Sequence, residues 1–113
     1  MVCEHILRTL IVIPARYMST RFEGKPLALI RDKMGREKTL IERTWNSAKK
    51  VKKIEKVIIA TDDERIEKEC KRFGADVVMT SKSCKNGTER VGETVKILKE
   101  NYDVVINFQG DSP

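Results

Sequence analysis

Two short segments of this 113-residue chain carry side chains whose types and spacing suit chemistry on phosphate. The first, PARYMSTRFEGKP at residues 14–26, gathers Arg16, Arg21 and Lys25 with the hydroxyls of Ser19 and Thr20. It has no helical or alternating period, so its backbone amides are also free to donate to an anion. Arginine grips two oxygens at once through a planar fork, lysine supplies a mobile point charge, and together they suit a triphosphate. The second, QGDSP at residues 109–113, sets Asp111 directly after Gly110. A carboxylate there could hold Mg²⁺ bridging to phosphate oxygens. Each segment also has a plainer reading: a basic loop can simply be solvated, and Asp beside Gly is a common turn pair. The chemistry requires that the fold bring the two together.

The elements that must do this can be read from periodicity. Residues 6–13 are rich in Ile, Leu and Val and read as a buried strand closed at Pro14. Residues 15–26 read as an ordered loop, and Leu29 and Ile30 as a short extended piece followed by a turn at Met34 and Gly35. Thr39 is a plausible N-cap, after which Leu40, Ile41, Trp45, Ala48 and Val51 recur at helical intervals. Residues 56–61 (KVIIAT) make a strand; Asp62 or Asp63 can cap the next helix, in which Ile66, Cys70 and Phe73 share a face and which Gly74 stops. Residues 76–80 are a further strand and residues 81–87 a polar loop. A third helix follows, carrying Val91, Val95 and Leu98 and capped by Asn86 or Thr88, and then a last strand at residues 103–108.

Strand and helix therefore alternate, which predicts one α/β domain over residues 1–113: a Rossmann-like, mostly parallel sheet with helices on both faces. In such sheets ligands lie beyond the carboxyl ends of the strands, where neighbouring connections diverge. If the first and last strands are adjacent, the basic loop and the Asp111 segment face each other across one crevice.

Composition narrows the alternatives. With 40% hydrophobic and 35% charged residues the chain has the balance of a globular protein. Its longest apolar run, residues 10–13, is far short of the roughly 20 needed to cross a bilayer. Glu4 and Arg8 interrupt any secretory signal, so a cytoplasmic location without membrane association is expected. Cys3, Cys70 and Cys84 match neither a disulfide framework nor paired zinc ligands and read as structural or incidental thiols. The single histidine, His5, precedes the first strand and reads as a surface residue, which leaves no His-based nucleophile relay. A formal charge of +6 fits an anionic partner, and the densest basic cluster is Lys49, Lys50, Lys52, Lys53 and Lys56. No aromatic residue lies between these lysines to stack a base, so the cluster reads as a solvated helix end rather than a nucleic-acid site.

The motifs also carry a family resemblance. IPARYMSTRFEGKPL resembles the amino-terminal signature of the 3-deoxy-manno-octulosonate (Kdo) cytidylyltransferase family, and ATDDERI, NGTERV and NFQGDSP follow in that family's order, covering about residues 11–113. The resemblance implies a nucleotidyltransferase fold in which Ala15 and Arg16 meet the cytidine and phosphates of CTP, and Arg21 and Lys25 serve the triphosphate, beside the Ser19 and Thr20 hydroxyls read above as nucleotide ligands from the loop itself. It puts Thr88 and Arg90 on the nucleotide side of the pocket, Gln109 toward an acidic sugar, and Asp111 on a magnesium ion. Arg16, Lys25 and Asp111 would be the catalytic set. The implied reaction joins CMP from CTP to the sugar and releases pyrophosphate, through positioning and charge neutralisation rather than a dedicated nucleophile. The chain corresponds to the amino-terminal half of the family. The second half supplies further sugar contacts, a second magnesium carboxylate and the dimer surface, so a truncated chain is expected to self-associate or to need a separate carboxyl-terminal chain. Ser112 stands where the family usually has Glu, and CKNGTER replaces a segment that usually carries His and Ser. A non-catalytic CTP-binding module is the alternative function.

Overall fold

Residues 10–13 are all apolar, which a strand tolerates only when both of its faces are dry. The computed structural model, which describes residues 7–17 and 24–109, gives the first strand, β1 (Thr9–Ala15), that position. Four parallel strands form the main sheet. β1 lies between β4 (Lys56–Thr61) and β6 (Val104–Asn107), and β5 (Asp76–Met79) pairs on the far side of β4, giving the order β5-β4-β1-β6. On one face Ile11, Ile13 and Ala15 pack with Ile59 against Ile41 and Ala48 of α1 (Leu40–Lys49) and Ile66 and Cys70 of α2 (Glu64–Arg72). On the other, Leu10, Val12, Ile58 and Ala60 pack against Val91, Val95 and Leu98 of α3 (Gly87–Leu98). Helices cover both faces of a parallel sheet, as expected.

Pro14 does not end the first strand. The strand runs on to Ala15, with Pro14 opposite Ala60 of β4. The reason lies in the pairing: β6 pairs only with Thr9 to Val12, so at Pro14 the strand has one neighbour, and a missing amide on the open side costs no ladder bond. The short extended piece at Leu29 and Ile30 becomes β2 (Leu29–Arg31), paired antiparallel with β3 (Glu37–Thr39) in a small hairpin. Its turn is closed by Asp32, whose Oδ1 accepts from the amides of Met34 at 2.8 Å and Arg36 at 2.9 Å, with Gly35 supplying the positive φ of 81°.

Caps fix the helix starts. Thr39 accepts from the Glu42 amide at 3.3 Å and opens α1, while Asp63, not Asp62, accepts from Arg65 and Ile66 and opens α2. Asn86, not Thr88, accepts from the Glu89 amide at 2.8 Å and opens α3. α2 stops at Gly74, where Gly74 N–H donates to Lys71 and Ala75 N–H to Cys70, the paired bonds of a Schellman ending. Among the described residues no helix is long and apolar enough to cross a membrane.

Candidate functional site

Because β1 and β6 are neighbours, the segments that follow them open onto the same end of the sheet. A cavity of about 290 Å³ lies there. Pro14, Ala15 and Arg16 come to it from the end of β1, Lys25 and Pro26 from a 3₁₀ turn (Lys25–Leu27), and Thr44 from α1. Asn86, Gly87 and Arg90 come from the start of α3, and Gln109 from just beyond β6. Of the residues singled out in the sequence, the structure thus unites Ala15, Arg16, Lys25, Arg90 and Gln109 around one space. Thr88 lies on the exposed side of the first turn of α3 and does not line it. Ser19, Thr20, Arg21 and Asp111 lie outside the described residues, as do Ser112, Cys3 and His5.

The three cations are held differently. Arg16 is exposed, lines the cavity, and donates from Nη1 to the Lys85 carbonyl at 3.4 Å, a long bond. Lys25 follows Gly24, whose φ of 72° turns the chain, and Leu27 N–H bonds back to the Gly24 carbonyl at 2.9 Å. The Gly24 amide itself donates to the Tyr17 carbonyl at 2.6 Å, so the chain returns beside the point where it left β1. A Cβ at position 24 would stand 2.9 Å from the Tyr17 ring. Glycine is therefore required both for the turn and for the space. Arg90 is only 2% exposed, with Nη1 bonded to Thr80 Oγ1 at 2.5 Å and Nη2 to Asp62 Oδ2 at 3.3 Å.

The amino end of α3 adds to this positive field. A Cβ on Gly87 would meet Gln109 Nε2 at 2.9 Å and Pro14 Cγ at 3.2 Å, so glycine lets the helix start press against the ends of β1 and β6. Asn86 takes up the Glu89 amide, and no described residue accepts from the amides of Gly87 or Thr88. Such first-turn amides, at the positive end of a helix dipole, suit an anion. Gly87, Asn86, Asp62 and Thr80 were not singled out as site residues in the sequence. The glycine carried a signal, since it opens the polar-to-helical junction NGTER, but Asp62 and Thr80 reach the site only through long-range contacts.

Metal holding can be judged from the donor set. Among the described residues no group of three His, Cys, Asp or Glu side chains gathers to hold an ion, and the cavity lining includes no carboxylate. A lining with Arg16, Lys25 and Arg90 repels a bare dication, so the donors fit magnesium only as an ion arriving with phosphate oxygens. The lysines of the basic cluster sit at the other end of the sheet, near the starts of β4 and β5. There Lys49 lies over the Trp45 ring at 4.3 Å, an aromatic contact that the spacing of the lysines did not foreshadow.

A family model described as cytidylyltransferase matches residues 10–113. The chain belongs to the cytidylyltransferase family. Among curated cytidylyltransferases it is 54% identical over 102 residues to the mitochondrial 3-deoxy-manno-octulosonate cytidylyltransferase of Arabidopsis thaliana, covering 90% of this chain and 33% of that protein. It is 49% identical over 107 residues to the 3-deoxy-manno-octulosonate cytidylyltransferase of Maricaulis maris, covering 95% of this chain and 39% of that one. A solved CMP:2-keto-3-deoxy-manno-octonic acid synthetase complexed with CTP superposes with a TM-score of 0.80 at 40% identity, over 94% of this chain and 41% of its own. The chain thus spans less than half the length of these relatives, and the parallel sheet just described is the Rossmann-like nucleotidyltransferase fold.

Proposed function

We propose that this chain holds the nucleotide in a transfer of CMP from CTP to an acidic sugar of the 3-deoxy-manno-octulosonate kind, with pyrophosphate as the leaving group. One observation carries the reading: Arg16, Lys25 and the start of α3, three separate elements, direct positive charge and backbone amides into one cavity at the carboxyl ends of β1 and β6. The family and the CTP-complexed neighbour support cytidine nucleotide as the anion.

In this reading the anomeric hydroxyl of the sugar attacks the α-phosphorus of CTP. A new oxygen–phosphorus bond forms, the bond from the α-phosphorus to the bridging oxygen breaks, and the hydroxyl proton passes to solvent. Charge spreads over the phosphates as this happens, and cations fixed beforehand lower its energy without reorganising. Arg16 and Lys25 serve that role, Ala15 flanks the nucleoside, and Gln109 faces the sugar. Ser19, Thr20 and Arg21 extend the phosphate contacts. Asp111 would hold magnesium, which when bound neutralises phosphate oxygens. No side chain needs to act as a nucleophile.

Calorimetric titration of CTP with Mg²⁺ into the 113-residue chain tests the binding, and pyrophosphate release on adding the sugar tests the transfer. Saturable CTP binding that Arg16→Ala and Lys25→Ala each weaken at least about tenfold is expected, that being roughly one charge-assisted hydrogen bond. Binding that both variants leave intact would overturn the site. Binding without pyrophosphate release would leave a nucleotide-binding module in place of an enzyme.

A further inference from the structure

Two adjacent aspartates follow β4, and they do different work. Asp63 turns to its own helix, accepting from the amides of Arg65 at 2.8 Å and Ile66 at 3.4 Å. Asp62 turns the other way, across 28 residues of sequence, to take Nη2 of Arg90 at 3.3 Å. Thr80, just past β5, takes Nη1 at 2.5 Å, and the Ser81 carbonyl stands 3.5 Å from the same nitrogen. The guanidinium is therefore bracketed from the ends of two strands while Arg90 itself rises from α3 and lines the cavity. Asp62 does not line it.

We infer that Asp62 is a positioning residue: it acts on the nucleotide through Arg90, by fixing how α3 and its first-turn amides meet the ligand. Removing the carboxylate would leave a buried cation with one bracket only, free to turn toward Thr80 or into the cavity. Neither arrangement preserves the wall that the ligand meets. The inference rests on the cavity being the CTP site.

The test is CTP titration with Mg²⁺ into the wild-type chain, Asp62→Ala, Asp62→Asn, Lys25→Ala and the Asp62→Ala/Lys25→Ala double variant, each checked for thermal unfolding. Asp62→Ala is expected to weaken CTP binding about tenfold, a coupling of the size that contacting residues show. Asp62→Asn keeps an oxygen for Arg90 and should stay within about threefold of wild type. That rescue is what a general loss of folding would not produce. Asp62→Ala and Lys25→Ala should combine additively, since they share no partner. If wild type binds CTP and Asp62→Ala does so within about twofold of it, the positioning role is wrong while the site stands. If Asp62→Asn loses as much affinity as Asp62→Ala, the geometric role is equally wrong. If wild type fails to bind CTP, the site reading itself falls and takes this inference with it.

Discussion

Replacing Gly87 by Ala separates the stability of the site from its fit to a ligand, because the two effects have different sizes. Gly87 begins α3 and its φ is not in the left-handed region, so alanine can adopt its backbone. Restricting the unfolded chain then contributes about 0.4–1 kcal/mol of stability. Against this, the new Cβ would stand 2.9 Å from Gln109 Nε2 and 3.2 Å from Pro14 Cγ. Ordinary contact needs about 3.5–4.0 Å, so the Gln109 amide must swing away and the proline must give by a few tenths of an ångström. Turning a flexible side chain off its rotamer costs about 0.5–1.5 kcal/mol. The two terms nearly cancel, and a melting temperature within about 4 °C of wild type is expected. Ligand fit has no such compensation. The methyl group stands where an anion approaches the first-turn amides, and one lost bond to a charged group is worth about 1.5–3 kcal/mol, or at least tenfold in CTP affinity. Differential scanning fluorimetry and calorimetric titration read the two effects. Unchanged affinity would refute the placement of phosphate at the start of α3, and a melting temperature lowered by much more than this range would show that the glycine serves packing alone.

Other outcomes follow from neighbouring features. CTP affinity should fall as salt is raised, and less steeply in Lys25→Ala and Arg16→Ala than in wild type, because exposed charges are screened; titrations at two salt concentrations decide it. Ile59→Ala removes a fully buried side chain from the core under α1 and α2, and should cost about 2–5 kcal/mol by urea unfolding. Acid should weaken the fold. The guanidinium of Arg72, then the Thr39 hydroxyl, holds the Glu69 carboxyl below its usual range, and the Arg65 side chain does the same for Asp63. Both lowered groups stabilise the fold above their unfolded values of about 4 and lose that contribution as pH falls through the folded ones. Unfolding free energy measured from pH 7 to pH 3 should therefore decline, with a shallower slope in Glu69→Gln. Burial pushes the Cys70 thiol up to about 12, so iodoacetamide at pH 8 should label it only after unfolding.

How much of this was legible in the sequence depends on the range of the interaction. Elements set by local chemistry were readable: the Thr39 cap, the Gly74 stop and the apolar stripes of three helices all act within a few residues. The fully apolar residues 10–13 announced a buried strand, because a strand with no polar face must be dry on both sides. Pro14 misled because whether a missing amide matters depends on which neighbour runs alongside, and the shortness of β6 is a tertiary fact. Asp62 and Asp63 were equivalent as caps in sequence; only the arrival of Arg90 from a helix two connections later distinguishes them. The same holds for the site. Arg16 and Lys25 could be read as phosphate ligands, but their meeting with Arg90 and Gln109 follows from the order β5-β4-β1-β6, which periodicity does not contain.

The bond from the Gly24 amide to the Tyr17 carbonyl fastens the start of the turn that carries Lys25 to the residues that leave β1. Arg65 of α2 lies against the same tyrosine, its guanidinium 3.3 Å from the centre of the Tyr17 ring. That bond anchors the turn bearing Lys25 to the end of β1, and the Arg65 contact ties the same anchor to α2. Lys25 thus inherits its position from the sheet and from α2 together, so a change at Tyr17 or Arg65, neither of which lines the cavity, would still be felt there.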